Sequence, residues 1–411
     1  MQSIAVIGGG VTGVTTAYAL VNRGFSVTLF ERNRYVAMET SYANGGQLSA
    51  SNAEVWNHWP TIVKGLKWMF RPDAPLLVNP KPSWHKLSWF AEFIAAIPRY
   101  AENTTATAAL AIEARRYLFD WAEREGIAFD PEHRGILHVY RHRAGFDHAA
   151  AVTKLLQRAG LERHAVGPAE MRDIEPNLNG DYYGGFYTPT DATGDIHKFT
   201  TGLADAAARR GVSMRYGCPI DAVSADTQGV RIATDQGHET FDGVVVCAGV
   251  GSRDLAAQLG DRVNVYPVKG YSITVELDDE ASRQAAPRMS LLDDETKLVS
   301  SRLGDGRLRV AGSAEFNGYN YDIRADRIRP LVDWVAQCFP GVSTRKATPW
   351  AGLRPMMPDM MPKVGPGRRP GVFYNTGHGH LGWTLSAVTA DQIATIIAQA
   401  AEKANGAAAL Q

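Results

Sequence analysis

The sequence is short of several things, and each shortage closes off a class of protein. Of its 411 residues only three are cysteine, Cys218, Cys247 and Cys338. They lie far apart, in no CxxC or other metal-type spacing, so neither a disulfide framework nor a cysteine metal centre is expected. An odd, sparse count suits a reducing compartment. Charge of one sign is also lacking, because 43 Lys+Arg balance 43 Asp+Glu. That removes the basic excess that nucleic-acid phosphates call for. No apolar run reaches the roughly 18 residues of a membrane span. Met1-Gln2-Ser3 runs straight into the strand-like Ile4–Ile7, which leaves no room for a signal peptide. The expected location is therefore cytoplasmic. Tandem repeats and low-complexity linkers are missing too, and only the tail after Ala404 reads as frayed. What remains is an ordinary globular composition, 45% hydrophobic and 21% charged, long enough for two or three domains with no covalent staples. Glycine is abundant at 40 residues, which points to many close approaches of backbone to ligand or to backbone.

The first 31 residues form one complete unit. Ile4–Ile7 reads as a strand buried on both faces. Gly8-Gly9-Gly10-Val11-Thr12-Gly13 follows, and Val14–Asn22 reads as a helix stopped by Gly24. Ser26–Phe30 is the second strand, and Glu31 ends it. In this setting Gly8 makes the tight turn, Gly10 lets backbone approach a pyrophosphate, and Gly13 lets helix pack on strand. Phosphates would sit at the positive helix end, near Val11 and Thr12. Glu31, 18 residues after Gly13, is placed to accept hydrogen bonds from a ribose. A glycine-rich turn that binds nothing would leave Glu31 without a task.

The rest of the chain favours FAD over NAD. A nicotinamide domain continues with further βαβ units, whereas here the chain leaves the sheet for the polar loop Glu39–Gln47. Glycine-rich strand chemistry returns only at Val244–Gly249 and again near Gly377. An isoalloxazine ring needs backbone and amide groups from just such separated segments. Elsewhere, Ala106–Glu125, Pro168–Met171, Phe199–Arg210, Ile328–Phe339 and Thr384–Ala401 read as helices. Gly135–Tyr140, Val212–Phe241, Val263–Val310 and Val372–Asn375 read as strands with turns, and Gly352–Gly367 as a Pro/Met-rich loop. Trp56, Trp59, Trp68, Trp84 and Trp89 crowd one stretch. It reads as core and domain contact, or alternatively as a peripheral membrane patch at Leu66-Lys67-Trp68-Met69-Phe70-Arg71, where aromatic and basic side chains suit a lipid interface.

Four segments carry a family resemblance. They are Val6–Gly13, Glu39–Gln47, Tyr266-Pro267-Val268-Lys269-Gly270-Tyr271-Ser272, and Gly352-Leu353-Arg354-Pro355 with Asp359 close behind. Gly377-His378-Gly379-His380-Leu381-Gly382-Trp383-Thr384 supports them. Through these the chain resembles the D-amino-acid dehydrogenase branch of the flavin amine-oxidoreductases, the family of glycine oxidase and D-amino acid oxidase. The resemblance implies an α/β fold with a discontinuous Rossmann-like FAD-binding domain (residues 1–80, 165–260 and 340–411). A substrate domain with a large antiparallel sheet (81–164 and 261–339) would complete it. It also implies that Glu31 and Arg32 hold the adenosine ribose and that Thr40 and Ser41 lie near the pyrophosphate. Asn44, Gly45, Gly46 and Gln47 would lie near the flavin ring. Ile220 would meet the adenine, Ala248 and Gly249 would pass the phosphates, and Gly377, Gly379, His380, Leu381 and Gly382 would line the pyrimidine end.

Arg354 is the residue the resemblance assigns to the substrate carboxylate. Independently, a guanidinium suits the task because it forms two parallel charge-assisted bonds to a carboxylate. The competing reading is a structural pair with Asp359. His380 stands where glycine oxidase has a second arginine and where the dehydrogenase branch has a small hydroxyl residue. It is read as a donor to the carboxylate or an acceptor for the amine. Tyr271 and Tyr319, with Tyr321, are candidate hydroxyl caps, or else ordinary half-buried sheet residues. Thr296 replaces an aromatic residue before Lys297, which widens the pocket and leaves a cyclic imino acid such as D-hydroxyproline as an alternative to an acyclic D-amino acid. The expected reaction is hydride transfer from substrate Cα to flavin N5, giving an imino acid and then a 2-oxo acid and ammonia. Electrons would pass on to a quinone or a carrier protein. The alternative of another class is a flavin-binding subunit without turnover, which would have no use for Arg354.

Overall fold

The computed structural model describes residues 2–68 and 74–408. Its first strand, Ser3–Ile7, lies inside a six-stranded sheet with Ile4–Ile7 buried, as a strand covered on both faces must be. Ser26–Phe30 pairs parallel on one side and Gly243–Val246 on the other. Ser213–Arg215 and Val372–Thr376 extend the sheet in parallel, and Lys363–Pro366 closes it as an antiparallel edge. Because the second strand and the returning one flank Ser3–Ile7 on opposite sides, a crevice opens beyond its carboxyl end, where open α/β sheets bind ligands.

Helices Val11–Val21, Ile196–Arg209 and Gly382–Ala408 share one apolar core through Val14, Tyr18, Phe199, Leu203, Ile393 and Ile397. Each of the large aliphatic side chains buried there contributes about 1.5–3 kcal/mol. A second cluster on Ala5, Ile7, Val244 and Val246 holds the antiparallel meander Ala222–Phe241 and the short helix Ser252–Gln258.

The second sheet has nine strands. Thr348–Met356 forms one edge, followed by Tyr266–Glu276, Arg307–Phe316, Leu298–Leu303, Ser290–Asp293, Ile136–Tyr140, Gly184–Thr188 and His164–Val166. Pairing is antiparallel except where Ser290–Asp293 meets Ile136–Tyr140 and where Leu76–Val78 meets Arg307–Phe316. Helix Ala325–Cys338 packs behind it, burying its Leu331 and Val335 with Ile273 and Val310 of the sheet.

One sequence expectation changes. The Gly352–Gly367 loop is in part a strand, Thr348–Met356, which carries Pro349 and Pro355. Proline is tolerated there because the strand is an edge, paired along its length with Tyr266–Glu276 and otherwise bridged only at its end, from Met356 to His378, among the described residues. Strand pairing also crosses the expected division into two units. Leu76–Val78, Gly184–Thr188 and Thr348–Met356, drawn into the FAD unit, hydrogen-bond within the nine-stranded sheet. Helix Tyr100–Glu125, drawn into the substrate unit, buries Leu118, Trp121 and Ala122 in the core of the first helix. Finally, of the tryptophan-rich stretch, Trp89 is core: its indole N–H donates to Met356 O at 2.8 Å and its ring stacks on Phe93. Trp59 and Trp84 are 60% and 82% exposed. Met69, Phe70 and Arg71 lie outside the described residues, as do the side chains of Leu66, Lys67 and Trp68. No helix among the described residues is long and apolar enough to cross a membrane.

Candidate active site

One cavity of about 680 Å³ is lined from both sheets. At its dinucleotide end, Gly8 adopts φ +112°, and a side chain there would meet Cys247 O at 2.6 Å. Gly13 does not line the cavity. A Cβ on it would fall 1.8 Å from Gly8 O, so its task is the close packing of helix on strand. Gly10 caps helix Val11–Val21 with no side-chain cap and no acidic residue in the first turn. Val11 N–H donates to Ser41 Oγ at 3.0 Å, and Gly10, Val11 and Thr12 line the cavity. The positive end of an apolar helix thus faces open space, the arrangement that takes a phosphate.

Glu31 is buried at the end of the second strand. Its Oε2 accepts the Gly9 N–H at 2.6 Å, and its Oε1 accepts the backbone and amide N–H groups of Asn33 at 2.8 and 2.7 Å. The carboxylate is fixed at the cavity wall with Ile220, Ala248 and Gly249 nearby along the same lining. Arg32 also lines it, with a largely exposed guanidinium paired to Glu39 at 2.6 Å. A helix end for a pyrophosphate and an anchored carboxylate for a ribose fit the adenosine half of FAD.

The loop Thr40–Gln47 continues the wall, tied to the opposite sheet at every second or third residue. Thr40 Oγ1 donates to Leu353 O at 2.7 Å, Ser272 Oγ to Ala43 O at 2.8 Å, and Ser301 Oγ to Gly45 O at 2.7 Å. Asn44 Oδ1 accepts the Gly46 N–H at 3.0 Å, and the Gln47 amide donates to Ser290 Oγ at 2.8 Å. From the far end of the chain, Gly379, His380, Leu381 and Gly382 line the same space and lead into helix Gly382–Ala408. Gly377 does not line it. At φ +78° it turns the chain, and a Cβ there would strike Met357 at 2.4 Å.

Arg354 stands on the edge strand opposite Val268. Gly270 makes room for it, since a Cβ at 270 would lie 2.4–2.5 Å from the guanidinium atoms. A β-bulge in the neighbouring strand, between Gly312 and Glu315, puts Ser313 at φ +53°. That turn aims Ser313 O at Arg354 Nη1, which donates to it at 2.7 Å. Burial pulls the guanidinium down to about 10, with no neighbouring charge opposing it. Asp359, the competing partner, instead faces Arg99 at 3.8 Å. Among the described residues no carboxylate lies within ion-pair distance of Arg354. A cation at the wall of a cavity, held by carbonyls and lacking a counter-ion, is a site for an anionic ligand.

His380 lies beside it. Nε2 is 3.2 Å from Asn52 O, so that nitrogen carries the proton, and the ring stacks on Trp56 at 5.1 Å. Nδ1 is buried with no partner among the described residues. Burial pulls the imidazole down to about 4, and the Arg354 charge acts in the same direction. The ring is therefore neutral near pH 7, with an acceptor lone pair on Nδ1.

The hydroxyls of Tyr271 and Tyr319 have partners within the protein. Tyr271 borders the cavity, but its hydroxyl donates to Glu315 Oε2 at 2.8 Å within a buried group that includes Lys269. Burial, reinforced by Glu315, pushes the phenol well above its ordinary range. Tyr319 is away from the cavity, 47% exposed, with its hydroxyl on Val250 O at 3.2 Å. Tyr321 is likewise exposed.

The structure adds wall residues that sequence reasoning passed over: Trp350, Ser313, Asn52, Glu54, His58, His138 and His148. It also adds a wholly buried pair. Asp191 accepts Arg115 at 2.6 Å and the backbone N–H groups of Ala50 and Ser51 at 3.0 and 3.1 Å, fixing the segment below His380's partner Asn52. Gly270 and Gly352 stood in the quoted segments as signals of the cleared space. The others had no local signal.

Comparison with known proteins agrees with this arrangement. The chain is 61% identical over 401 residues to D-amino acid dehydrogenase 3 of Mesorhizobium japonicum, covering 97% of both chains. It is 42% identical over 408 residues to a D-amino acid dehydrogenase of Paramagnetospirillum magneticum, covering 96% of this chain and 95% of that one. The crystal structure of glycine oxidase from Bacillus cereus superposes with a TM-score of 0.72 at 21% identity, covering 97% of this chain and 95% of the other. Residues 3–396 match the FAD-dependent oxidoreductase (DAO) family, and with a glycine-lined helix end at one extremity of its cavity and, among the described residues, an arginine without a counter-ion in the same wall, the chain belongs to that family of flavin enzymes.

Proposed function

We infer that this protein is an FAD-dependent dehydrogenase of D-amino acids. The observation that carries the reading is Arg354: a cation in the wall of the flavin cavity, without a counter-ion among the described residues. A flavin-binding subunit without turnover would have no reason to keep it. When bound, FAD supplies the two-electron acceptor that takes a hydride from the substrate Cα.

The chain's own residues bind and orient. Arg354 grips the substrate carboxylate through its fork, and Ser313 O fixes the angle of that fork. His380 Nδ1, the unpaired acceptor, receives an N–H of the neutral amine, and the Nε2–H bond to Asn52 O holds the tautomer. Two anchors on adjacent groups leave the Cα–H one direction in which to point. Trp56 and Trp350 at the wall keep water from the reacting carbon. The substrate binds with its amine already neutral, the proton having passed to bulk water, so no protein base is needed. The imino acid dissociates and hydrolyses to a 2-oxo acid and ammonia, whereas a cyclic imino acid would leave as a cyclic imine.

Anaerobic mixing of the yellow enzyme with D- and L-amino acids, including cis-4-hydroxy-D-proline, tests the reading. D-enantiomers bleach the flavin band, and the rates rank the side chains. Failure of every amino acid to bleach it overturns the proposal. Reoxidation by a quinone or carrier protein, faster than by oxygen, belongs to the same reading. So does peripheral membrane contact through exposed Trp59, Val63, Trp84 and Leu87. Flotation with anionic vesicles, compared with a Trp59→Ser, Trp84→Ser variant, checks the contact.

A further inference from the structure

Away from Arg354, the cavity wall carries a group that the oxidation does not use. Glu54, His58 and His148 each offer one ligand atom, and these three atoms lie within 4.8 Å of one another. All three residues line the cavity. Glu54 Oε1 is 3.0 Å from His148 Nε2 and 3.4 Å from His58 Nε2. The two imidazole rings are stacked at 5.5 Å between centroids. Tyr100 donates its hydroxyl to Glu54 Oε1 at 2.6 Å, and Thr61 Oγ1 lies 2.9 Å from His58 Nε2. His148 stands on helix Arg143–Arg158 and is the outermost, with its side chain 42% exposed. The group therefore reaches from the cavity to solvent.

Two imidazole nitrogens and one carboxylate oxygen within 4.8 Å of one another match the three-ligand set of a zinc-type site with one open position. With metal–ligand bonds of about 2.0–2.1 Å, a tetrahedral site separates its ligand atoms by roughly 3.3 Å. The two carboxylate–imidazole separations, 3.0 and 3.4 Å, bracket that value, and on binding a metal His58 Nε2 would exchange its Thr61 contact for the cation. Nitrogen donors select zinc-class cations over magnesium and calcium, which prefer all-oxygen sites. The hydroxyl of Tyr100 would orient the carboxylate from outside the ligand set.

We propose that Glu54, His58 and His148 form a binding site for a zinc-class divalent cation in the cavity wall, and that its occupation obstructs the substrate's access to the cavity. The cation takes no part in the oxidation and acts as an inhibitor from the cavity wall. Equilibrium dialysis of the flavin-loaded enzyme against micromolar zinc chloride, followed by metal analysis, reads the site directly. The expected result is about one zinc per chain, released by chelator, with affinity lowered by at least roughly 10–100-fold in each of Glu54→Gln and His148→Gln. His148→Gln alters a solvent-exposed side chain and keeps the test open if Glu54→Gln fails to fold. In steady-state assays zinc raises KM for the D-amino acid in the wild type, and His148→Gln loses that response. Wild-type enzyme that takes up no zinc at about 100 times micromolar concentrations, where a three-ligand site would be filled, overturns the proposal. Zinc uptake or a KM response that survives undiminished in both variants overturns it equally, because the metal then sits elsewhere.

Discussion

Replacing Arg354 with alanine removes the fork proposed to hold the substrate carboxylate. Each charge-assisted hydrogen bond contributes roughly 1.5–3 kcal/mol, and the loss of a partner in a buried charged pair costs about 2–5 kcal/mol in all. Two such bonds in a water-poor cavity place the cost near the upper half of that range, about 3–5 kcal/mol, or two to three and a half orders of magnitude in kcat/KM. The grip is made in the bound substrate as well as in the transition state, so most of the loss falls on KM. The protein itself has the opposite interest. Burial already pulls this guanidinium down to about 10 without a neighbouring charge to compensate. Arg354→Met therefore leaves the ligand-free melting temperature unchanged or raises it. The assay is anaerobic flavin reduction by a D-amino acid across a concentration series, with FAD content checked by absorbance. Arg354→Lys, which keeps charge but loses the fork, recovers part of the loss. A variant with kcat/KM within tenfold of wild type, or one that loses flavin in step with activity, refutes the assignment.

Other consequences are as specific. Gly270→Ala pushes a methyl into the guanidinium at 2.4 Å, and kcat/KM falls by roughly 10–100-fold as the fork is displaced, with FAD retained. His380→Phe keeps the ring stacked on Trp56 but removes the Nδ1 acceptor, and costs about 1–3 kcal/mol in kcat/KM. The histidine is held near 4, so it is neutral above that pH and becomes charged only as pH falls towards 4. An acidic limb between pH 5.5 and 8, if present, therefore survives in His380→Phe, and its disappearance would show that the ring titrates there. Glu31→Ala unfastens Gly9 and Asn33 and lowers FAD occupancy on gel filtration. Gly13→Val, whose Cβ would overlap Gly8 O, gives apoprotein or no soluble protein.

The dinucleotide half was legible because its information is local. Strand, glycines, helix and Glu31 fall within one short stretch, and each residue type is required by the backbone around it. Arg354 was legible as a motif but not as an unpaired charge. What leaves it unpaired is Asp359 facing Arg99, together with a left-handed Ser313 on another strand. The partners of the tyrosine hydroxyls were not legible, because they come from across the fold. Tyr271 meets Glu315, 44 residues away across a bulge. The Glu54, His58 and His148 group joins an early loop to a helix about ninety residues later, and nothing in the spacing announces it. Proline misled in the opposite direction, since a strand that pairs on one side only can carry Pro349 and Pro355.

The lashing of residues 40–47 to Leu353, Ser272 and Ser301 makes that short stretch a keystone rather than a flap. Coenzyme and substrate halves cannot drift apart without tearing it loose. Chimaeras that exchange the nine-stranded sheet with a relative's, in search of a new specificity, will retain their colour only when these eight residues travel with it.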